Sequence, residues 1–160
     1  MIRFALLLVA ALGLNGPAKA DWRTIKWGMS VKEVIAADKT ASLLSAEEQK
    51  THSPNMFGDA LVAVSAIEPG TEIRAILFFD FDRLREIKFI APGVADGERL
   101  FVYLTAQYGE PTRQTHLQNE VCRVRRAEWD GSKSHYRLHA KLSDCTTIRG
   151  GEAFLEPVNR

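Results

Sequence analysis

Four histidines are the residues of this chain best suited to binding a metal ion: His52, His116, His135 and His139. His135 and His139 are four residues apart, a spacing that on a helix brings two imidazoles together on one face. The residues around them, however, alternate between polar and apolar, as in a β-strand. At a rise of about 3.3 Å per residue, two such side chains lie about 13 Å apart, too far to share one ion. The sequence therefore predicts solvent-facing histidines and no metal site.

Motifs for catalysis are missing from the sequence. It has no G-x-S-x-G, S-x-x-K or H-E-x-x-H motif and no glycine-rich phosphate loop. No serine lies beside a base that a third group could orient, and no two carboxylates have a spacing suited to glycoside hydrolysis. We expect a protein that is not an enzyme and binds no cofactor, although a hydrolase with catalytic residues from distant positions stays open.

The most concentrated charge in the sequence is a cluster formed by Arg123, Arg125 and Arg126, with Arg137 across a predicted hairpin. We call these four residues the candidate interaction patch. Such a cluster can bind an acidic protein, a lipid headgroup or a glycan anion through its positive field. The alternative is a solvated sheet face whose charge is balanced by neighbouring carboxylates.

Alternation along the hairpin assigns these arginines to two environments. Arg126 and Arg137 fall on the side predicted to face water, whereas Arg123 and Arg125 fall, with Trp129, on the side predicted to face the core. An arginine on the core side needs a position at the rim, a carboxylate partner or a groove. A small-ligand or anion site in a groove between sheet and helix, near Arg123 and Arg125, is therefore the second functional hypothesis.

Residues 1–20 have the three parts of a cleavable signal peptide. Arg3 gives a positively charged start, residues 4–14 are apolar, and Ala18-Lys19-Ala20 is a small-residue cleavage site, so cleavage is expected after Ala20. The apolar stretch is shorter than the about 20 residues that a membrane span needs. Since no cysteine stands at the cleavage position, no lipid anchor is expected. We predict an exported, periplasmic protein.

The two cysteines, Cys122 and Cys145, are predicted to form a disulfide because the chain carries an export signal. Neither belongs to a C-x-x-C motif, so a redox-active pair is not expected. Two buried free thiols are the alternative. In a hairpin that turns at Asp130-Gly131 the cysteines share a face but stand several residues out of register, so the bond requires a bulge or bend near Ser143-Asp144.

The mature chain, residues 21–160, has the size of a single domain. Removing Arg3 and Lys19 from the 21 Lys+Arg leaves 19 basic residues against 20 acidic ones, a formal net charge of −1. This near-neutral balance argues against nucleic acid or an anionic membrane as the main partner. No later segment is long and apolar enough to span a membrane.

Ser30 and Glu33 form a predicted capping box at the start of the first helix, where each side chain accepts a hydrogen bond from a backbone N–H of the other residue. The helix is expected at 31–38, and a second serine–glutamate pair marks a short helix at 45–50. Beyond them, the apolar pattern predicts a three-strand antiparallel meander at 61–67, 73–81 and 86–90, followed by a helix capped by Asp96 at 96–108. A hairpin turning at Asp130-Gly131 is expected at 122–145, and a last strand at 146–155.

These elements predict an α+β fold in which helices pack on an antiparallel sheet. The expected order is helix–three strands–helix–three strands. This order raises the hypothesis of two α+β halves, 21–92 and 93–160, on separate sheets or on a shared one.

The stretch from Ile25 to Val34, I-x-W-G-M-S-x-x-E-V, resembles the helix-start motif of the BamE-like (SmpA/OmlA) outer-membrane assembly lipoproteins of Gram-negative bacteria. Members of that family pack helices on a three-stranded antiparallel sheet and act as non-enzymatic partners in an assembly complex. This chain differs in lacking the lipidated cysteine and the glycine that usually ends the first helix, and in carrying a second α+β half. The resemblance implies a binding role toward another cell-envelope protein and identifies no binding residue.

Overall fold

The computed structural model describes residues 21–53, 55–68, 71–131 and 136–158, and the predicted signal peptide and His135 lie outside these ranges. The described ranges contain three helices: α1 (Val31–Ala37), α2 (Ala46–His52) and α3 (Val94–Tyr108). They contain eight strands: β1 (Ala41–Leu43), β2 (Asp59–Glu68), β3 (Thr71–Asp80), β4 (Arg83–Ala91), β5 (Arg113–Gln118), β6 (Cys122–Gly131), β7 (Tyr136–Cys145) and β8 (Arg149–Pro157).

All eight strands belong to one antiparallel sheet with the order β1-β2-β3-β4-β8-β7-β6-β5. Strands β1–β4 form one side of the sheet and β5–β8 the other. The two sides meet where β4 pairs with β8, from Ile87↔Leu155 to Ala91↔Gly151. The two halves therefore share a single sheet, and the last strand of each half lies at its centre.

The predicted class, α+β with helices on an antiparallel sheet, is confirmed, but the predicted order of helix–three strands–helix–three strands is wrong. Each half has a fourth strand at the outer edge of the sheet, β1 in the first half and β5 in the second. Strand β1 has only three residues, and all six residues of β5 are exposed. Neither edge strand buries an apolar face, so neither has the alternation from which a strand is predicted.

The first two helices begin at capping boxes, as predicted. Ser30 caps α1 together with Glu33, and an equivalent pair caps α2. The start of α1 is also held by the β3–β4 hairpin, because the Asp82 carboxylate accepts a hydrogen bond from the Val31 N–H at 3.1 Å. Gly28, just before this start, has φ +76°, a left-handed conformation that favours glycine. Helix α3 differs from the prediction in one detail. Its N-cap is Gly93, and Asp96, the predicted cap, lies in its first turn.

The main core lies on one side of the sheet, which we call the inner face. Helix α3 packs there with Leu100, Phe101 and Leu104 buried against the central strands. The helix backbone lies close to the sheet at Gly97, because a Cβ atom added to Gly151 of β8 would lie 2.8 Å from the Gly97 Cα. On the opposite or outer face, α2 and the segment after it cover only the first half of the sheet, where a small apolar cluster contains Leu44, Ala60, Ala63, Ile76 and Phe78.

The β6–β7 hairpin has a different register from the predicted one. Gly131 pairs with Tyr136, so Asp130 and Gly131 are strand residues, and the connection falls at 132–135, outside the described residues. The Tyr136 ring lies against Gly131, where an added Cβ would meet the ring at 2.5 Å. An aromatic ring covering a strand glycine stabilises this pairing. The predicted faces are nevertheless confirmed, since Trp129 is buried on the inner face.

The corrected register places Cys122 directly opposite Cys145. The two cysteines form the predicted disulfide, and no bulge is needed. The bond joins the ends of β6 and β7 at one corner of the sheet.

Candidate functional site

The four arginines of the candidate interaction patch lie on two faces of the sheet. Arg123 and Arg125 are on the inner face, beside α3. Arg126 and Arg137 are on the outer face and line an open groove there. The patch is therefore two separate surfaces, as strand alternation required.

Arg125 is held by two contacts with α3. Its guanidinium carbon lies 4.5 Å from the centroid of the Phe101 ring, and its Nη1 lies 3.2 Å from the Glu98 carboxylate. The first contact is a cation–π interaction and the second an ion pair. The Nε atom is buried and has no hydrogen-bond partner among the described residues. The Arg125 charge thus acts mainly within the protein, as a link between β6 and α3.

Arg123 is also paired with a carboxylate. Its Nη2 donates a hydrogen bond to Asp144 at 2.8 Å, and Arg149 approaches the other oxygen of Asp144 at 3.1 Å. The hydrogen bond from Arg123, together with that from Arg149, lowers the pKa of Asp144 below its usual value. Of the three environments expected for inner-face arginines, Arg123 and Arg125 both have the carboxylate partner.

A groove separates α3 from β5 on the inner face. Helix α3 lies over β3, β4, β7 and β8, so the inner side of β5 is not covered by it. Arg125 divides this groove into two open cavities of about 260 and 400 Å³. His116 is in the smaller cavity, and Gln114 is in the larger one, facing Val102 of α3, which is 70% exposed.

Strand β5 borders this groove and forms the edge of the sheet. It pairs with β6 along one side, from Arg113↔Glu128 to Gln118↔Arg123, and no described strand pairs with its other side. Its backbone donors and acceptors on that side are open to a partner. Sequence reasoning missed this strand because its residues are polar and uniformly exposed.

The outer face of the second half carries a groove of about 560 Å³. Its charged lining residues come from β6, β7 and β8: Arg126, Glu128, Asp130, Arg137, His139 and Glu156. The opposite charges are partly paired, for example Arg137 with Glu156 at 3.5 Å. This groove has no helix over it within the described residues.

His139 lies in this groove with its ring stacked on Phe154 at a centroid distance of 5.0 Å. Burial lowers the pKa of His139 below its usual value. Across the described residues, no three histidine, cysteine or acidic side chains come close enough together to hold a metal ion. His116 lies on the opposite face from His139, and His52 belongs to α2.

Glu86 is a buried carboxylate that sequence reasoning did not single out. It lies on the outer face of β4, is 2% exposed and accepts a hydrogen bond from the Asn55 side chain at 2.9 Å. Burial raises the pKa of Glu86, and the negative charge of Glu156 adds to the shift. No local pattern marks Glu86 as buried, because its cover comes from the segment around Asn55, more than thirty residues earlier.

We expect Glu86→Gln to stabilise the protein by about 1 kcal/mol at pH 7. The raised pKa means that the folded state binds a proton at Glu86 more tightly than the unfolded state. The stabilisation that comes from this tighter proton binding is present below the pKa of Glu86 in the unfolded chain. It is lost as the pH rises through the pKa of Glu86 in the folded protein. Glutamine removes the charge and keeps an oxygen for Asn55.

Urea denaturation of Glu86→Gln and the original protein at pH 7 and pH 4 measures this effect. The difference should shrink at pH 4, where Glu86 itself is largely protonated. Glu72→Gln, at an exposed position of β3, is the control and should change little at either pH. A less stable Glu86→Gln protein at pH 7 would contradict the interpretation.

Comparison of the chain with protein-family models, with curated proteins and with solved structures gives no match. The resemblance of the helix start to the BamE-like lipoproteins therefore stays a prediction. Among the described helices, none has the length and apolar character needed to cross a membrane.

Proposed function

We propose that this protein is a non-enzymatic binding module that receives an extended segment of a partner protein along the open edge of β5. The observation that carries this proposal is the combination of a fully exposed edge strand with an uncovered groove beside it. A strand added at an open edge gains backbone hydrogen bonds, and neighbouring cavities select its side chains.

The composition of β5 supports this role. Natural proteins protect open edges with proline, inward-pointing charge, very short strands or a covering element. Strand β5 is six residues long, contains neither proline nor lysine, and has only Arg113 as a charged residue at its start. The opposite edge strand, β1, has three residues and so offers a much shorter edge.

The compartment and partner class in this proposal come from the sequence. The predicted signal peptide directs the chain to the periplasm, and the Cys122–Cys145 disulfide is consistent with an oxidising compartment. The BamE-like helix start adds a precedent for binding to another envelope protein. We therefore propose a cell-envelope protein as the partner.

A second candidate function is small-ligand or anion binding in the groove near Arg123 and Arg125. The buried Nε of Arg125, without a partner in the described part of the chain, favours it. The ion pairs to Asp144 and Glu98 weaken it, because an incoming anion would have to compete with both carboxylates. A thermal shift with small anions that Arg125→Gln abolishes would support this function, and an equal shift in both proteins would remove it.

Proline substitutions at the edge test the binding module. Along an antiparallel strand, successive residues direct their backbone groups alternately to one side and the other. Of Gln114→Pro and Thr115→Pro, one therefore breaks a bond to β6 and the other removes a donor from the open edge. We expect the edge-facing variant to keep its Tm and to lose the partner.

The measurement is crosslinking and pull-down from periplasmic extract, with Tm measured for each variant. Lys50→Gln, on α2, is the control and should retain the partner. A partner retained at full level by both proline variants would contradict binding at β5.

A further inference from the structure

Two cations lie opposite each other on the outer face of the second half, and neither forms an ion pair within the described residues. Arg126 of β6 and Lys141 of β7 are directly opposite in the strand register. Side chains in such a pair have Cβ atoms about 5 Å apart, and like charges at this spacing destabilise a sheet. No ion pair or side-chain hydrogen bond joins either cation to another described residue.

The acidic residue in the same row is paired with a different cation. Glu152 of β8 is opposite Lys141, but its carboxylate lies 3.1 Å from the ammonium group of Lys88. On the other side of the row, Thr115 of β5 is opposite Arg126 and presents a hydroxyl group. One row across three adjacent strands thus carries a hydroxyl, a guanidinium and an ammonium group.

We propose that Thr115, Arg126 and Lys141 form a binding site for a single phosphate-type oxyanion. An anion between the two cations turns their repulsion into two charge-assisted interactions, and the hydroxyl can donate a further hydrogen bond. The site lies in the second half of the outer face, which no described helix covers, and Thr115 and Arg126 are exposed there. It is separate from the inner-face groove, and β5 contributes to it only the outer-face side chain of Thr115.

The surroundings limit the size of the anionic group. Arg126 is at one side of the 560 Å³ groove, and the next row carries Glu128, which is 3.8 Å from Arg113. Asp130 follows one row further along β6. These carboxylates would repel a chain of phosphates laid along the groove. The site therefore selects a ligand with one anionic group.

Thermal unfolding with inorganic phosphate tests the site. Ionic strength is held constant with chloride, so that general screening does not change. At about ten times Kd, phosphate should raise the Tm of the original protein by several degrees. Arg126→Gln and Lys141→Gln should each raise the Tm without phosphate by about 1–3 °C, since the repulsion is gone. Both should lose the response to phosphate.

Arg85→Gln is the matched control, because Arg85 is an exposed arginine on β4 and has no ion pair among the described residues. It should keep the response of the original protein. An equal response in all four proteins, or no response in the original protein, would overturn the proposal.

Vesicle binding distinguishes the two sources of such a group. Binding to phosphatidylglycerol vesicles over phosphatidylcholine vesicles, lost in Arg126→Gln and Lys141→Gln, would identify a lipid headgroup. A phosphate response without vesicle binding would identify a soluble phosphate-bearing ligand.

Discussion

Replacing Cys122 and Cys145 with serine is expected to lower the free energy of unfolding by about 3 kcal/mol. The disulfide closes a loop of about 24 residues, and its removal returns that loop's conformational entropy to the unfolded chain. The closed loop contains β6, β7 and the connection between them. Equilibrium denaturation of the double variant measures the change.

Reduction of the original protein provides the matched comparison. The reduced protein should unfold with nearly the free energy of the double variant, because both lack the same cross-link. Oxidised protein with Ser143→Ala, a neighbouring strand substitution that keeps the bond, should retain most of the stability. A loss below about 1 kcal/mol in the double variant would show that the unfolded chain gains little freedom from removing the bond.

Gly151→Val is expected to lower the free energy of unfolding by about 3 kcal/mol. A Cβ at this position would lie 2.8 Å from the Gly97 Cα, and backbone atoms cannot rotate away as a side chain can. Helix α3 would have to move off β8, which loosens the packing of Leu100 and Leu104 against the sheet. Denaturation monitored by tryptophan fluorescence would measure the loss.

Glu152→Val is the matched control, since it adds the same side chain at the next position of β8 but on the outer face. It costs the partly exposed ion pair with Lys88, which contributes little, so a change within about 0.5 kcal/mol is expected. Gly97→Ala gives a second comparison. Its Cβ would mainly meet the terminal methyl of Leu142, a group that can move, so its effect should be smaller than that of Gly151→Val. Equal losses in Gly151→Val and Glu152→Val would contradict the close-approach argument.

Local patterns in the sequence predicted the elements that have a capping motif or a buried face. The two serine–glutamate boxes located α1 and α2, a continuous apolar run located β2, and apolar alternation located β3 and β4. Strand β5 could not be found this way, because its six exposed residues carry no burial pattern. The hairpin register was missed because the Tyr136 ring lies against Gly131. This contact favours Gly131 as a strand residue, whereas the sequence alone predicted it in the turn.

The candidate sites were predictable only in part. Alternation placed Arg123 and Arg125 on one face and Arg126 on the other. Their partners were not predictable, because Glu98 is on a different element from Arg125, and the pairing of Arg126 with Lys141 depends on the hairpin register. Register is set by the whole sheet, so a charge constellation built across strands has no signature in the local sequence.

The position of β8 between β4 and β7 determines when the sheet can be completed. Ribosomes make β8 after the seven other strands, yet it supplies the central pairings, such as Ile87↔Leu155. Without β8 in place, β4 and β7 would both expose unpaired edges rich in apolar side chains, the kind of surface that promotes aggregation. The strand order therefore makes β8, the last strand in the sequence, the element that joins two incomplete sheets into one.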